Sequence, residues 1–89
     1  MTRVRVWLSE SAGLHRGLVE RLRRAGFPGA TVWKGTLGFG AGGRLHSAAM
    51  IEVEGDLPVV VEAVVDDEAA VLALLADLPA DVPVTLEPG

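Results

Sequence analysis

The chain has no cysteine and no tyrosine, and only two tryptophans and two phenylalanines among its 89 residues. Without cysteine there are no disulfide staples and no thiolate metal sites. An apolar core must therefore hold a domain that buries only about two-thirds of its unfolded surface. No apolar run approaches the roughly 20 residues of a bilayer-spanning helix. The N-terminal segment Met1-Thr2-Arg3-Val4-Arg5-Val6 alternates instead of forming the apolar centre of a secretory signal. A single cytoplasmic domain over residues 1–89, with no membrane insertion, is the expectation.

Basic residues are missing from the second half. All eight (Arg3, Arg5, Arg16, Arg21, Arg23, Arg24, Lys34, Arg44) precede residue 45, together with only Glu10 and Glu20. The first 44 residues thus carry +6 and the remainder −10, a net −4. An acidic balance argues against general nucleic-acid binding. The asymmetry either orients partners or copies of the chain, or consists of solvated faces.

Glycine, by contrast, is concentrated. Five of eleven glycines fall within residues 35–43, and Arg44 and His46 follow. A glycine-rich, partly basic loop thus interrupts a chain otherwise dense in valine, leucine and alanine. Loops held on a rigid scaffold commonly carry function.

Around it the periodicities define elements. Arg3 to Leu8 alternates as a strand with Val4, Val6 and Leu8 on one face. Ser9 to Gly13 is a loop able to supply a helix cap. Leu14, Leu18, Leu22 and Ala25 recur at helical spacing, with Glu20 and Arg24 an i,i+4 pair, until Gly26 and Pro28 stop the helix. Ala30 to Leu37 reads as a strand, Ala48 to Val53 as a short extended segment, and Glu54-Gly55-Asp56 as a turn. Val59 to Val65 is the strongest strand. Asp66 or Asp67 caps a helix with an apolar stripe of Ala70, Val71, Leu74, Leu75 and Leu78; Pro79 ends it, and Val82 to Leu86 is a last strand.

The order β-α-β-loop-β-α-β implies an α+β, ferredoxin-like βαββαβ fold, an antiparallel sheet with two helices on one face. Two helices cover only one face of a sheet. Yet Val59, Val61, Ala63 and Val65 point to one side, Val60 and Val64 to the other, and Trp7 and Trp33 lie outside the core pattern. An apolar open face is expected to be covered by self-association.

Several motifs together resemble a known family. They are the stretch Val19–Val32 with its Ala25-Gly26-Phe27-Pro28-Gly29-Ala30-Thr31, then Gly38-Phe39-Gly40, Arg44-Leu45-His46-Ser47-Ala48, and Asp56-Leu57-Pro58-Val59-Val60-Val61-Glu62. They resemble PII-like proteins, above all the family known as domain of unknown function 190, over about Val4 to Leu86. The resemblance implies a homotrimer with inward-facing sheets and a regulatory, signalling role. It also implies small-metabolite or nucleotide binding in intersubunit clefts, and a loop that docks on a partner such as a membrane transporter or channel. Carried over by position, Thr31, Gly38, Phe39 and Gly40 would lie at the cleft, and about 41–55 would be the flexible loop.

The sequence also departs from the PII proteins proper. Their C-terminal half supplies lysine and arginine to phosphates, whereas none follows Arg44 here, and Pro79-Ala80-Asp81-Val82-Pro83 replaces their glycine-rich connection. Phosphates would have Arg3, Arg5, Lys34, Arg44 or backbone N–H groups to meet them. An adenine nucleotide, with a monophosphate favoured over ATP, or a small anion fits that supply. The tyrosine-modification switch of some PII proteins has no tyrosine to act on.

Gly38-Phe39-Gly40 reads as a cleft base or, more simply, as a strand end or bulge. It is not a P-loop, since no Gly-Lys-Ser/Thr follows. Arg44 and His46, two apart, would share one side of an extended segment. They read either as an anion clamp or partner contact, or as a solvated arginine and a hydrogen-bonded histidine. His15 reads as a surface residue. Two histidines without cysteine do not make a convincing zinc site, a trimer axis that brings three copies of one His or Glu together leaves symmetry-made metal binding open, and Asp66-Asp67-Glu68 reads as a helix start. No nucleophile–base–orienter set suggests an enzyme. The alternative to a sensor is a structural or protein-interaction trimer without a small ligand.

Overall fold

A computed structural model describes residues 1–39, 45–47 and 57–89, the segments 37–39 and 45–47 through their backbone. Among the described residues, eight elements follow in chain order: β1 (Thr2–Ser9), α1 (Leu14–Arg24), β2 (Gly29–Lys34), β3 (Leu37–Phe39), β4 (Leu45–Ser47), β5 (Pro58–Val65), α2 (Glu68–Leu75) and β6 (Val84–Pro88). One turn of 3-10 helix, Glu10–Ala12, separates β1 from α1.

The main sheet has the order β2-β5-β1-β6, antiparallel throughout. This is the ferredoxin-like arrangement expected from the sequence. β1 pairs with β5 over eight residues, from Thr2 opposite Val65 to Ser9 opposite Pro58. That register puts Val4, Val6 and Leu8 on the same face as Val59, Val61, Ala63 and Val65, and all seven are buried. Leu18 and Leu22 of α1 and Val71 and Leu75 of α2 complete one continuous core. The two helices therefore share one face of the sheet.

The helix ends show local chemistry at work. The Asp67 carboxylate accepts a hydrogen bond from the Ala70 N–H at 3.0 Å, capping α2 as one of the two expected aspartates. The loop Ser9 to Gly13 supplies the N-cap of α1: the chain turns through Glu10–Ala12 and enters the helix at Gly13, whose φ of 69° is left-handed. Glycine meets that geometry without a Cβ penalty. At the far end Glu20 holds both Arg23 and Arg24, the latter at 3.1 Å. Arg21 bonds the Leu74 carbonyl at 2.6 Å and pairs with Asp77 at 3.0 Å. It ties α1 to the end of α2, where helical carbonyls lack partners.

Other boundaries differ by a few residues. α2 ends at Leu75, ahead of Pro79, because the chain tightens into turns there, with Leu78 N–H on the Leu75 carbonyl. The last strand starts at Val84, not Val82; Val82 lies in a turn closed on the Pro79 carbonyl at 3.0 Å. Among the described residues no helix is long and apolar enough to cross a membrane. The expected extended segment Ala48–Val53 and turn Glu54–Asp56 lie outside the described residues.

Two outcomes are expected. Replacing Asp67 by alanine removes the α2 cap and lowers stability by about 1 kcal/mol, roughly a 4–8 °C drop in midpoint by thermal denaturation. Glu20 titrates below its ordinary value of 4.5, chiefly through the hydrogen bond from Arg23. Its contribution is thus complete above 4.5 and is lost as pH falls through the lowered value. Carboxyl NMR titration of wild type and Arg23→Ala checks this; the variant's midpoint should move back up.

Candidate ligand cleft at the base of the glycine-rich hairpin

The strand expected over Ala30 to Leu37 is two strands. β2 ends at Lys34, and the chain leaves the sheet at Gly35, whose N–H bonds the Pro58 carbonyl at 2.7 Å. A Cβ on Gly35 would lie 2.5 Å from Pro58 Cγ, so only glycine passes here without displacement. After the bend, β3 pairs with β4 as a separate two-stranded ribbon. Its register sets Leu37 opposite Ser47, Gly38 opposite His46, and Phe39 opposite Leu45. Three residues of the segment expected as a flexible loop, 41–55, thus form a paired strand.

The ribbon brings two predicted site positions together. Gly38 and His46 are direct cross-strand partners, and Phe39 is next to them along β3. Gly40 and Arg44 lie outside the described residues. Thr31 is on β2, opposite Glu62 and exposed, on the sheet face away from the helices. His15, read as a surface residue, is half-buried, with a shielded Nδ1 that has no hydrogen-bond partner among the described residues.

Beneath the ribbon its root is pinned to the 3-10 turn. The Glu10 N–H bonds the Leu57 carbonyl at 2.8 Å. The Glu10 carboxylate pairs with the Lys34 ammonium. These contacts join the turn to both strands from which the hairpin segment departs. Sequence reasoning did not find the Glu10–Lys34 pair, because the partners are far apart in the chain and belong to no common periodicity.

The open sheet face holds the other chemistry. Trp7, Val60 and Trp33 stand in register across β1, β5 and β2. The tryptophans are 43% and 58% exposed. Together with Arg3, Arg5 and Glu62 they line a shallow hollow. The Trp7 indole N–H reaches Thr85 Oγ1 at 3.3 Å. Arg5 donates to Glu62 at 2.9 Å and pairs with Glu87; Arg3 approaches the same two carboxylates at 3.9 and 3.8 Å. The Arg5 guanidinium is held above its ordinary value, first by the Glu62 hydrogen bond, with Glu87 adding to it. Arg3 and Arg5, two of the cations expected to be available to phosphate, are therefore neutralised within the chain. Alternation alone placed them on this face; the charge-matching of Glu62 and Glu87 was the missed signal. Among the described residues, no group of three or more His, Cys, Asp or Glu is placed to hold a metal ion.

The family model of DUF190, described as Uncharacterized ACR, COG1993, matches residues 1–88. The chain belongs to the DUF190 family. Solved structures place its fold among the PII-like proteins. One is a protein from Thermus thermophilus described as a putative PII-like signalling protein. It is 25% identical, with a TM-score of 0.64 over 97% of this chain and 83% of that one. Another is a nitrogen-regulatory PII-like protein from Thiomonas intermedia, solved with ADP, AMP and bicarbonate. It is 19% identical, with a TM-score of 0.61 over 97% of this chain and 82% of that one. The resemblance carried by the motifs and the ferredoxin-like fold thus agree on this DUF190 protein.

Gly35→Ala should lower stability by about 1–3 kcal/mol, the usual range for forcing a methyl into occupied space. Gly29→Ala is the control: its added Cβ meets nothing within 4 Å. Urea denaturation of the two should separate them, with the Gly29 variant within about 0.5 kcal/mol of wild type.

Proposed function

We propose that this DUF190 protein is a homotrimeric PII-like regulator. It binds a small metabolite at clefts between subunits and docks on a partner through the segment 41–55. Thr31, Gly38, Phe39, Gly40, Arg44 and His46 line the cleft, and the docking partner is a membrane transporter or channel. The observation that carries the reading is the uncovered face. A row of Trp7, Val60 and Trp33 backed by a neutral Arg3–Arg5–Glu62–Glu87 cluster is a surface suited to burial against copies of itself.

For the ligand we favour an adenine nucleotide of low charge, a monophosphate over ATP, or a small anion such as bicarbonate. The self-neutralised arginines support that choice, since they leave few cations for a triphosphate. The PII-like protein solved with ADP, AMP and bicarbonate offers ligands of the same class.

Sedimentation equilibrium should give a trimer at micromolar concentration, and Val60→Glu, a charge at the centre of the apolar row, should give monomer. Isothermal titration should show AMP binding more tightly than ATP, with Arg44→Ala weakening it by at least about tenfold, the effect of losing one charge-assisted contact. A monomeric wild type defeats the assembly. A trimer silent toward adenine nucleotides and bicarbonate defeats the sensing and leaves an interaction module.

A further inference from the structure

We infer that the Lys34 ammonium is an oxyanion-binding group whose place is held by the Glu10 carboxylate until an anionic ligand displaces it. The inference rests on the proposed sensing role and adds to it a residue and a built-in competitor.

The cations of the described residues differ in how firmly they are held. Arg3 and Arg5 each lie between Glu62 and Glu87 on the open face. Arg21 combines a carbonyl and a carboxylate, and Arg23 and Arg24 share Glu20 on α1. Arg16 is exposed on α1, on the helix layer. Lys34 alone among them stands at the root of the hairpin, beside Gly35, where the chain leaves the sheet. It has one carboxylate partner, and its side chain is 57% exposed.

Chemistry makes that partner replaceable. An ammonium is a compact point charge with three rotatable donors, indifferent to which oxyanion it meets. A solvent-exposed pair of this kind is weak, because water screens it and two long side chains must be held in place. A carboxylate oxygen presents to Lys34 the same acceptor that a phosphate monoester or bicarbonate would present. Exchange would also leave the scaffold intact. The Glu10 backbone is fixed separately, its N–H on Leu57 and its carbonyl accepting from Gly13 at 3.1 Å. Only the Glu10 side chain has to swing away. Ligand binding is then coupled to the turn between β1 and α1 through a single released carboxylate.

The test is titration calorimetry on the full-length trimer at fixed ionic strength, using AMP, adenosine, inorganic phosphate and bicarbonate on wild type, Glu10→Gln, Lys34→Gln and the double variant. Glu10→Gln should tighten anion binding about fivefold by removing the competitor. Lys34→Gln should weaken it by at least as much, and the double variant should behave as Lys34→Gln. Adenosine should respond to neither. A gain confined to AMP assigns the site to a nucleotide phosphate; a gain shared by phosphate or bicarbonate assigns it to free oxyanions. A gain of binding in Glu10→Gln cannot arise from misfolding. Anion binding by wild type that both single variants leave unchanged overturns this inference and spares the sensing role. Silence of wild type and Glu10→Gln toward every anion overturns both.

Discussion

The pairing of β1 with β5 is the constraint on which the rest of the molecule depends. Its eight-residue register places seven apolar side chains on one face, and that face is the floor under both helices. A slip of one residue would turn the same valines outward and bring Arg3, Arg5 and Glu62 into the core. The alternation of apolar and charged residues along β1, set against the buried row of β5, therefore specifies the register. The edge strands β2 and β6 then add to a centre already set.

What the two faces do follows from the same alternation. The helix-covered side is aliphatic at its centre, with Thr2 and Lys34 at its margins, and no polar side chain is buried among the described residues. The other side carries the tryptophans and a balanced set of arginines and glutamates, neither a core nor an ordinary solvated surface. The hairpin ribbon leaves this frame at one narrow point. Gly35 passes against Pro58 with no room for a side chain, while Glu10 and Lys34 brace the root from below. A segment so anchored has a fixed origin, and a loop on a rigid scaffold needs that property.

Much of this was legible in the sequence because it is periodic. The 2-residue period of Arg3 to Leu8 and the helical spacing of Leu18 and Leu22 translate directly into faces, and Asp67 before Glu68-Ala69-Ala70 into a cap, whereas Leu14 in the same helical row stays exposed. The break between Lys34 and Leu37 was not legible. Valine, tryptophan and leucine there favour extended backbone in either sheet or ribbon, and the bend is set by Pro58, a residue distant in sequence. The loop Ser9 to Gly13 does supply the N-cap of α1, and its left-handed Gly13 makes the turn through its backbone, a geometry that composition alone does not specify. Of the candidate site, the sequence indicated Gly38 and His46, which the ribbon register makes neighbours. Ion pairs that join remote strands, Arg5 to Glu62 or Lys34 to Glu10, leave no local pattern to read.

The segregation of charge along the chain has a meaning that the folded globule conceals. The pairs Arg3 and Arg5 with Glu62 and Glu87, and Arg21 with Asp77, each join the cationic first half to the anionic second. Folding sets three cations of the first block against three carboxylates of the second. In the unfolded ensemble they are still blocks, a cationic stretch linked to an anionic one, and Coulomb attraction between them favours contraction. That contraction brings β1 toward β5 and β6 across most of the chain, the long-range closure that otherwise slows β-sheet formation. The order in which charges are written along this polypeptide is thus an instruction for collapse, erased once it has been carried out.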